Sequence, residues 1–323
     1  MKIVLAVLLT LAIAAPASAT PPLHVIFDTD MGNDVDDALA LAMLHAFASR
    51  GEVKLLAVTV SKDNPWAAEY VRLVDEYYDR GAIPVGIVHD GKTKDDGLYV
   101  RQVCELHGRH PNAAAVEDAV ELLRKTLAGE SDGAVTMIQV GFSTNLARLL
   151  ESAPDRYSNL NGTELVKKKV RLLTTMGGNF AEAKPEYNIM IDIPAATKLF
   201  ATWPTDIYIS GYEVGAAILY PASSIENDFP QGNPVAEAYR SYAKMPYDRP
   251  SWDLTTVLYD LRPDRGYFDV SPPGDVQVAA NGSTSFQPSA QGKRWVLRVD
   301  PTQAARIREA CIWLATQPTA GSR

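Results

Sequence analysis

The chain has 323 residues, 46% of them hydrophobic, with 31 Lys+Arg against 39 Asp+Glu and only 2 Cys. This apolar content excludes a disordered tail protein, and the length and cysteine count exclude a disulfide-stapled mini-protein. A formal net charge of -8 also argues against a nucleic-acid partner gripped through its phosphate backbone, because that mode needs clustered Lys and Arg to release counterions.

The N-terminus opens on Met1 and Lys2, runs through apolar residues 3–15 and reaches the small residues Ala17, Ser18 and Ala19. This pattern predicts a cleaved secretory signal over residues 1–19; the apolar run is shorter than the roughly 20 residues of a spanning helix. The mature chain, residues 20–323, is then expected to be periplasmic or secreted, to form one large domain, and to have no membrane partner after cleavage. Outside the cytoplasm a disulfide between Cys104 and Cys311 is chemically permitted, with two unpaired thiols as the alternative. No CxxC or HxxxH pairing occurs among the 2 Cys and 5 His, which argues against zinc.

Along the mature chain, residues 24–28 (HVIFD) read as a strand, and Leu39, Met43 and Phe47 behind them fall at helical spacing. Residues 53–60 repeat the strand pattern, and Asn64 followed by Pro65 reads as an N-cap and first-turn proline of an amphipathic helix. Further strands are expected at 83–88, 134–140, 170–176 and 206–210, and helices at about 113–128, from 143, and at about 194–202. Residues 220–265 read as Pro-rich and irregular, followed by short strand-like runs (VQVAA, RWVLRV) and a last helix at 302–315. Strands alternating with helices predict a doubly wound, mostly parallel α/β sheet with helices on both faces. Ligands in such sheets sit beyond the carboxyl ends of the strands.

Just past the first strand, Asp28, Asp30, Asp34, Asp36 and Asp37 place five carboxylates within ten positions. Packed together without a counter-ion they would repel. A hard cation resolves the conflict, and calcium accepts several carboxylates together with carbonyls and water. The competing reading is a solvated acidic turn with helix-capping aspartates. An EF-hand loop is disfavoured because a strand, not a helix, precedes the cluster. A phosphatase of the haloacid dehalogenase type is weakened by Gly32, where that motif wants Thr or Val.

The segment DTDMGNDVDDALALAML resembles the aspartate signature of the inosine-uridine-preferring nucleoside hydrolase family, and LLAVTVSKDN, IPVGI, VGFSTNLARLL, LLTTMGGNF, EYNIMIDIPAA and PSWDLTTVLY continue the likeness in order. The resemblance implies hydrolysis of a ribonucleoside N-glycosidic bond by a calcium-bound water, with Asp30 as catalytic base and metal ligand. It further implies calcium ligation by Asp37, Asp36, the backbone carbonyl of Val140 and Asp253, with Asp34 as an added candidate. Three residues, Asn33, Asp34 and Val35, separate Gly32 from the paired aspartates, where the shorter family signature has one. The division of ligand roles among Asp34, Asp36 and Asp37 is therefore left open. Asp36, Asn64, Asn179, Glu186 and Asn188 are the implied substrate-binding residues, with helix capping as the alternative for Asn64 and Asp253.

Many relatives carry a His directly before the distal Asp as the acid for the leaving base, and Trp252 stands there instead. An indole can stack on a base or wall the pocket, but it cannot protonate a leaving group near neutrality. Tyr187, Tyr220, Tyr247 and Asp248 are further candidates for the base side. The implied partner is a small nucleoside, and the family habit implies a homo-oligomer, dimer or tetramer. Two other readings compete: a calcium-dependent nucleoside- or ribose-binding protein with weak or no hydrolytic activity, motivated by Trp252, and a metal-dependent phosphatase.

Overall fold

The computed structural model describes residues 21–112 and 116–318; the expected signal segment lies outside them. The strands are β1 (Leu23–Thr29), β2 (Val53–Val60), β3 (Val85–Ile87), β4 (Glu117–Asp118), β5 (Val135–Gln139), β6 (Val170–Met176), β7 (Asp206–Ser210), β8 (Leu219–Tyr220), β9 (Arg249–Pro250), β10 (Asp269–Val270), β11 (Gly274–Val278), β12 (Thr284–Pro288) and β13 (Arg294–Arg298). The helices are α1 (Asp36–Ser49), α2 (Pro65–Tyr77), α3 (Val100–Leu106), α4 (Ala119–Gly129), α5 (Thr144–Glu151), α6 (Gly162–Lys169), α7 (Tyr187–Ile191), α8 (Ile193–Thr202), α9 (Tyr212–Ala216), α10 (Ala222–Asn227), α11 (Pro234–Tyr242), α12 (Trp252–Leu261) and α13 (Pro301–Ala315).

An 11-stranded sheet runs β12-β11-β13-β7-β6-β5-β1-β2-β3-β4, with β10 paired to β13. From β4 through β1 to β7 and β13 every pairing is parallel; β10, β11 and β12 add an antiparallel margin. The expected doubly wound, mostly parallel sheet is thus the observed one. β1 lies between β2 and β5, so the winding direction reverses there and leaves a crevice at the carboxyl ends of β1 and β5.

Alternation along β1 feeds both layers: Val25 and Phe27 pack into the core beneath α1, α2, α11, α12 and α13, and Ile26 into the opposite core beneath α4, α5, α6 and α8. Helix α1 is apolar nearly all round and is buried from Asp36 to Phe47, as expected of a helix sandwiched between the sheet, α12 and α13. Among the described residues, no helix is long and apolar enough to cross a membrane.

Three expectations need correction. The helix expected from about residue 113 begins at Ala119, because the Asp118 carboxylate accepts from the backbone N–H groups of Val120 and Glu121 and fixes the start; residues 113–115 are outside the described set. The strand expected at 83–88 is confined to Val85–Ile87. The stretch read as irregular holds α10, α11 and α12; Asn233 caps α11 and Pro234 opens it, the same signal that marked Asn64 and Pro65.

Candidate active site

The acidic loop leaves β1 at the switch point. Asp28 turns into the sheet, where its Oδ1 accepts from Thr59 at 2.6 Å and Asn145 at 2.8 Å. Thr29 Oγ1 donates to Asp37 and accepts the backbone N–H of Met31, tying the loop's exit to the first turn of α1. Gly32 takes φ 109°, a conformation side chains avoid, and its N–H donates to the Tyr99 hydroxyl at 3.1 Å. Gly141, past the end of β5, meets the loop so closely that a Cβ there would lie 2.4 Å from the Asp30 nitrogen.

These constraints point Asp30, Asp36 and Asp37 into a cavity of about 610 Å³, which Asp253 joins from the first turn of α12. Carboxylate oxygens of Asp36, Asp37 and Asp253 all lie within 4.8 Å of one another. All three residues are buried, and burial holds each carboxyl well above the usual range. Repulsion adds to this, led by Asp34 at Asp36, by Asp30 at Asp37 and by Asp36 at Asp253. Three repelling carboxylates at this spacing are costly alone and form a matched, all-oxygen donor set for one hard divalent cation. The residues therefore fit a metal.

Asp30 stands beside this group. Burial pushes its carboxyl up to about 7, against the pull of a hydrogen bond from Asn33 and the charge of Lys62. Asn33 Nδ2 donates to Asp30 Oδ2 at 2.7 Å, and its Oδ1 accepts from Lys62 Nζ at 2.6 Å. Lys62, with a side chain 0% exposed, also donates to Asp95 Oδ1 at 2.9 Å.

The other sequence candidates divide in two. Val140, Glu186, Asn188 and Trp252 line the cavity. The carbonyl of Val140 accepts from Asn188 Nδ2 at 2.7 Å and keeps its second lone pair. Glu186 caps α7, accepting from the N–H groups of Gly178, Asn188 and Ile189. Trp252 donates its indole N–H to the carbonyl of Tyr212 at 2.9 Å, so it offers the cavity a ring face.

Asn64 and Asn179 sit one layer back. Asn64 caps α2 and donates to the carbonyls of Lys94 and Asp95 and to Asp96 Oδ1, anchoring the segment whose Asp95, Gly97 and Leu98 reach the cavity. Asn179 Oδ1 accepts the N–H of Glu182 at 3.0 Å.

Asp34 is drawn away from the cation group: its Oδ1 accepts from Arg249 Nε at 2.9 Å, and its Oδ2 accepts from Nη2. Arg249, Tyr242 and Tyr212 line the cavity and went unread in the sequence, as did the buried Lys62. Of the further base-side candidates Tyr187, Tyr220, Tyr247 and Asp248, Tyr187 lines it. Tyr247 donates to the carbonyl of Tyr239, Asp248 accepts the N–H of Ala222, and Tyr220 is buried against Ser224. No histidine is among the described lining residues. Cys104 and Cys311 are both free and buried.

A buried oxygen-donor nest beneath a cavity of this size, at the switch point of a parallel sheet, defines the class: an α/β enzyme with a site for a hard cation. Comparison with known proteins gives the family. Residues 25–308 match the model of the inosine-uridine preferring nucleoside hydrolases. The chain is 28% identical over 271 residues to the pyrimidine-specific ribonucleoside hydrolase RihA of Enterobacter sp. (strain 638), covering 75% of this chain and 80% of the relative. Among solved structures, the inosine-uridine preferring nucleoside hydrolase of Bacillus anthracis superposes with a TM-score of 0.69 at 19% identity, covering 91% of this chain and 99% of that one. The purine-preferring ribonucleoside hydrolase of Gardnerella vaginalis gives 0.68 at 18% identity, with the same coverage of 91% and 99%. The chain belongs to the inosine-uridine preferring nucleoside hydrolase family and is a hydrolase of N-glycosyl bonds.

Proposed function

We propose that the protein hydrolyses ribonucleosides to free base and ribose, with calcium held by Asp30, Asp36, Asp37, Asp253 and the Val140 carbonyl. The observation that carries this reading is the convergence of Asp36, Asp37 and Asp253 within 4.8 Å, beside Asp30 in one cavity. When bound, calcium supplies Lewis acidity toward a water and toward the vicinal hydroxyls of ribose.

The chain's own residues do the rest. Asp30, its carboxylate fixed by Asn33, takes the proton of the attacking water as general base. Asp36 and Asn188 orient the ribose hydroxyls, and Glu186 shapes the ribose side of the cavity. Water adds to C1′ on the face opposite the base as the sugar passes through an oxocarbenium-like state. The aromatic faces of Trp252 and Tyr212, with ring centroids 5.4 Å apart, wall the base and exclude water.

The test is a panel of purine and pyrimidine ribonucleosides assayed for reducing sugar, with added calcium and with chelator. The expected result is release of ribose that chelation abolishes and calcium restores. Tight nucleoside binding without turnover under these conditions would refute hydrolysis and favour simple binding. The RihA relatives are pyrimidine-specific by name, which makes uridine and cytidine the first substrates to try. The N-terminal pattern supports export; recovery of the activity only from cytoplasmic extract would contradict it.

A further inference from the structure

Two features of the cavity are at odds with each other. Cleavage of an N-glycosidic bond leaves negative charge on the base, yet the wall is crowded with carboxylates, and the residue before Asp253 is an indole whose N–H is already donated to Tyr212. Among the described lining residues Arg249 alone is basic. It stands on β9, which pairs antiparallel with β8, and Tyr220 is its partner in the ladder. Its guanidinium carbon lies 5.1 Å from the Tyr242 ring centroid and 5.3 Å from that of Trp252. Asp34 grips Nε and Nη2 side-on, which fixes the plane of the fork and leaves the two protons of Nη1 without an acceptor among the described residues.

We propose that Arg249 is a catalytic residue for the leaving base: its Nη1 donates to an acceptor on the base held against Trp252, and Asp34 is the positioning residue that aims it. This assignment rests on the ribonucleoside-hydrolase reading above. The C1′–N bond breaks with its electron pair going to the ring nitrogen, while the water oxygen bonds to C1′ and its proton passes to Asp30. The base departs as an anion under a charge-assisted hydrogen bond from Arg249 and takes its proton from solvent on release. Arg249 stays protonated throughout, as a guanidinium must near neutrality. Because the fork is aimed before substrate arrives, it stabilises charge as that charge develops.

The experiment compares Arg249→Met, Arg249→Lys and Asp34→Asn on two substrates: uridine, whose base needs stabilisation to leave, and 4-nitrophenyl β-D-ribofuranoside, whose nitrophenolate does not. Arg249→Met is expected to lose about 10²- to 10³-fold in kcat on uridine, the loss typical of a preorganised donor, and only a few-fold on the nitrophenyl riboside. Arg249→Lys and Asp34→Asn should lose roughly tenfold on uridine alone, since each leaves a donor that is poorly aimed. Turnover of the nitrophenyl riboside reports that each variant is folded. Equal losses on both substrates, or no loss on uridine, would overturn the assignment. A wild-type protein that cleaves the nitrophenyl riboside but no nucleoside would overturn it too while sparing the glycosidase chemistry; one that cleaves neither would overturn the hydrolase reading itself.

Discussion

The backbone N–H of Asp253 donates to Oδ2 of Asp36 across 3.0 Å, joining residues 217 positions apart in the chain. The bond docks the first turn of α12 onto the first turn of α1 and brings the Asp253 carboxylate to those of Asp36 and Asp37.

Asp253→Asn should therefore act with opposite signs on binding and on stability. In the calcium site proposed above it removes one anionic ligand, and calcium affinity measured by calorimetry should fall by about 10²-fold, with turnover falling at least as far. It also removes one of three mutually repelling buried carboxylates, so in chelator the variant should unfold at a higher temperature than wild type. Unchanged calcium affinity would remove Asp253 from the site.

Gly141→Ala should damage the site through the backbone. The added Cβ would lie 2.4 Å from the Asp30 nitrogen, 2.5 Å from Ser61 Oγ and 2.6 Å from the Thr29 carbonyl carbon, and neither main-chain atom can move without shifting Asp30. Overpacking of this kind typically costs about 1–3 kcal/mol, and turnover should fall even where the protein remains folded. Gly129→Ala is the control, because a Cβ there meets nothing within 4 Å. Equal thermal midpoints and activities for the two variants would contradict the argument.

Lys62→Met should lower kcat more than it lowers stability. Deleting one member of a buried ion pair is severe when the survivor is buried too, but Asp95 is 68% exposed and can hydrate. A stability loss of about 1–2 kcal/mol follows. The cost to activity arises because Asn33 loses the donor on its Oδ1 and with it a fixed grip on Asp30. We expect kcat to drop roughly tenfold with KM nearly unchanged, a split that steady-state kinetics would read directly.

Asp260, on the buried face of α12, sets a pH dependence of stability remote from the cavity. Its Oδ1 accepts from Thr136 at 2.9 Å and Thr174 at 2.7 Å, and its Oδ2 has no partner among the described residues. Burial raises its carboxyl from 3.8 to about 6, against those two hydrogen bonds. The folded state thus holds this proton more tightly than the unfolded chain, so its stabilising contribution is full below pH 4 and is lost as pH rises through 6. A shift of this size is worth about 3 kcal/mol at most. Asp260→Asn should raise the thermal midpoint above wild type at pH 8 and match it near pH 4; a gap independent of pH would show that Asp260 ionises normally.

Where a residue's role depended on its neighbours in sequence, it was legible beforehand. Asn64 and Pro65 open α2 by contacts within two residues, as read, and β2, β6 and β7 match their apolar runs. The acidic loop could be read because five aspartates crowd ten positions. Residues whose meaning lies across the fold could not. Arg249 went unread in a Pro-rich stretch, and the β8–β9 pairing sets it beside Asp34, 215 positions earlier. Lys62 went unread, because it is burial against Asn33 and Asp95 that distinguishes it. Asn64 carried two readings in sequence, and the structure places its amide on the neighbouring 94–96 segment. α11 was missed although Asn233 and Pro234 carry the cap-and-proline signal.

Because β1 lies in the middle of the sheet while Arg249, Trp252 and Asp253 come late in the chain, the order of synthesis is the reverse of the order of need. A nascent chain presents its acidic loop from the start and must hold it unsatisfied until residue 253 has emerged. A product truncated before that point could retain β1 to β7 and both layers of α2, α4, α5 and α8, yet its crevice would lack a far wall. For this protein, proteolytic trimming from the C-terminal side would strip α13 and the β10 to β13 margin first and, on reaching residue 253, would take the far wall of the crevice while β1 to β7 remained.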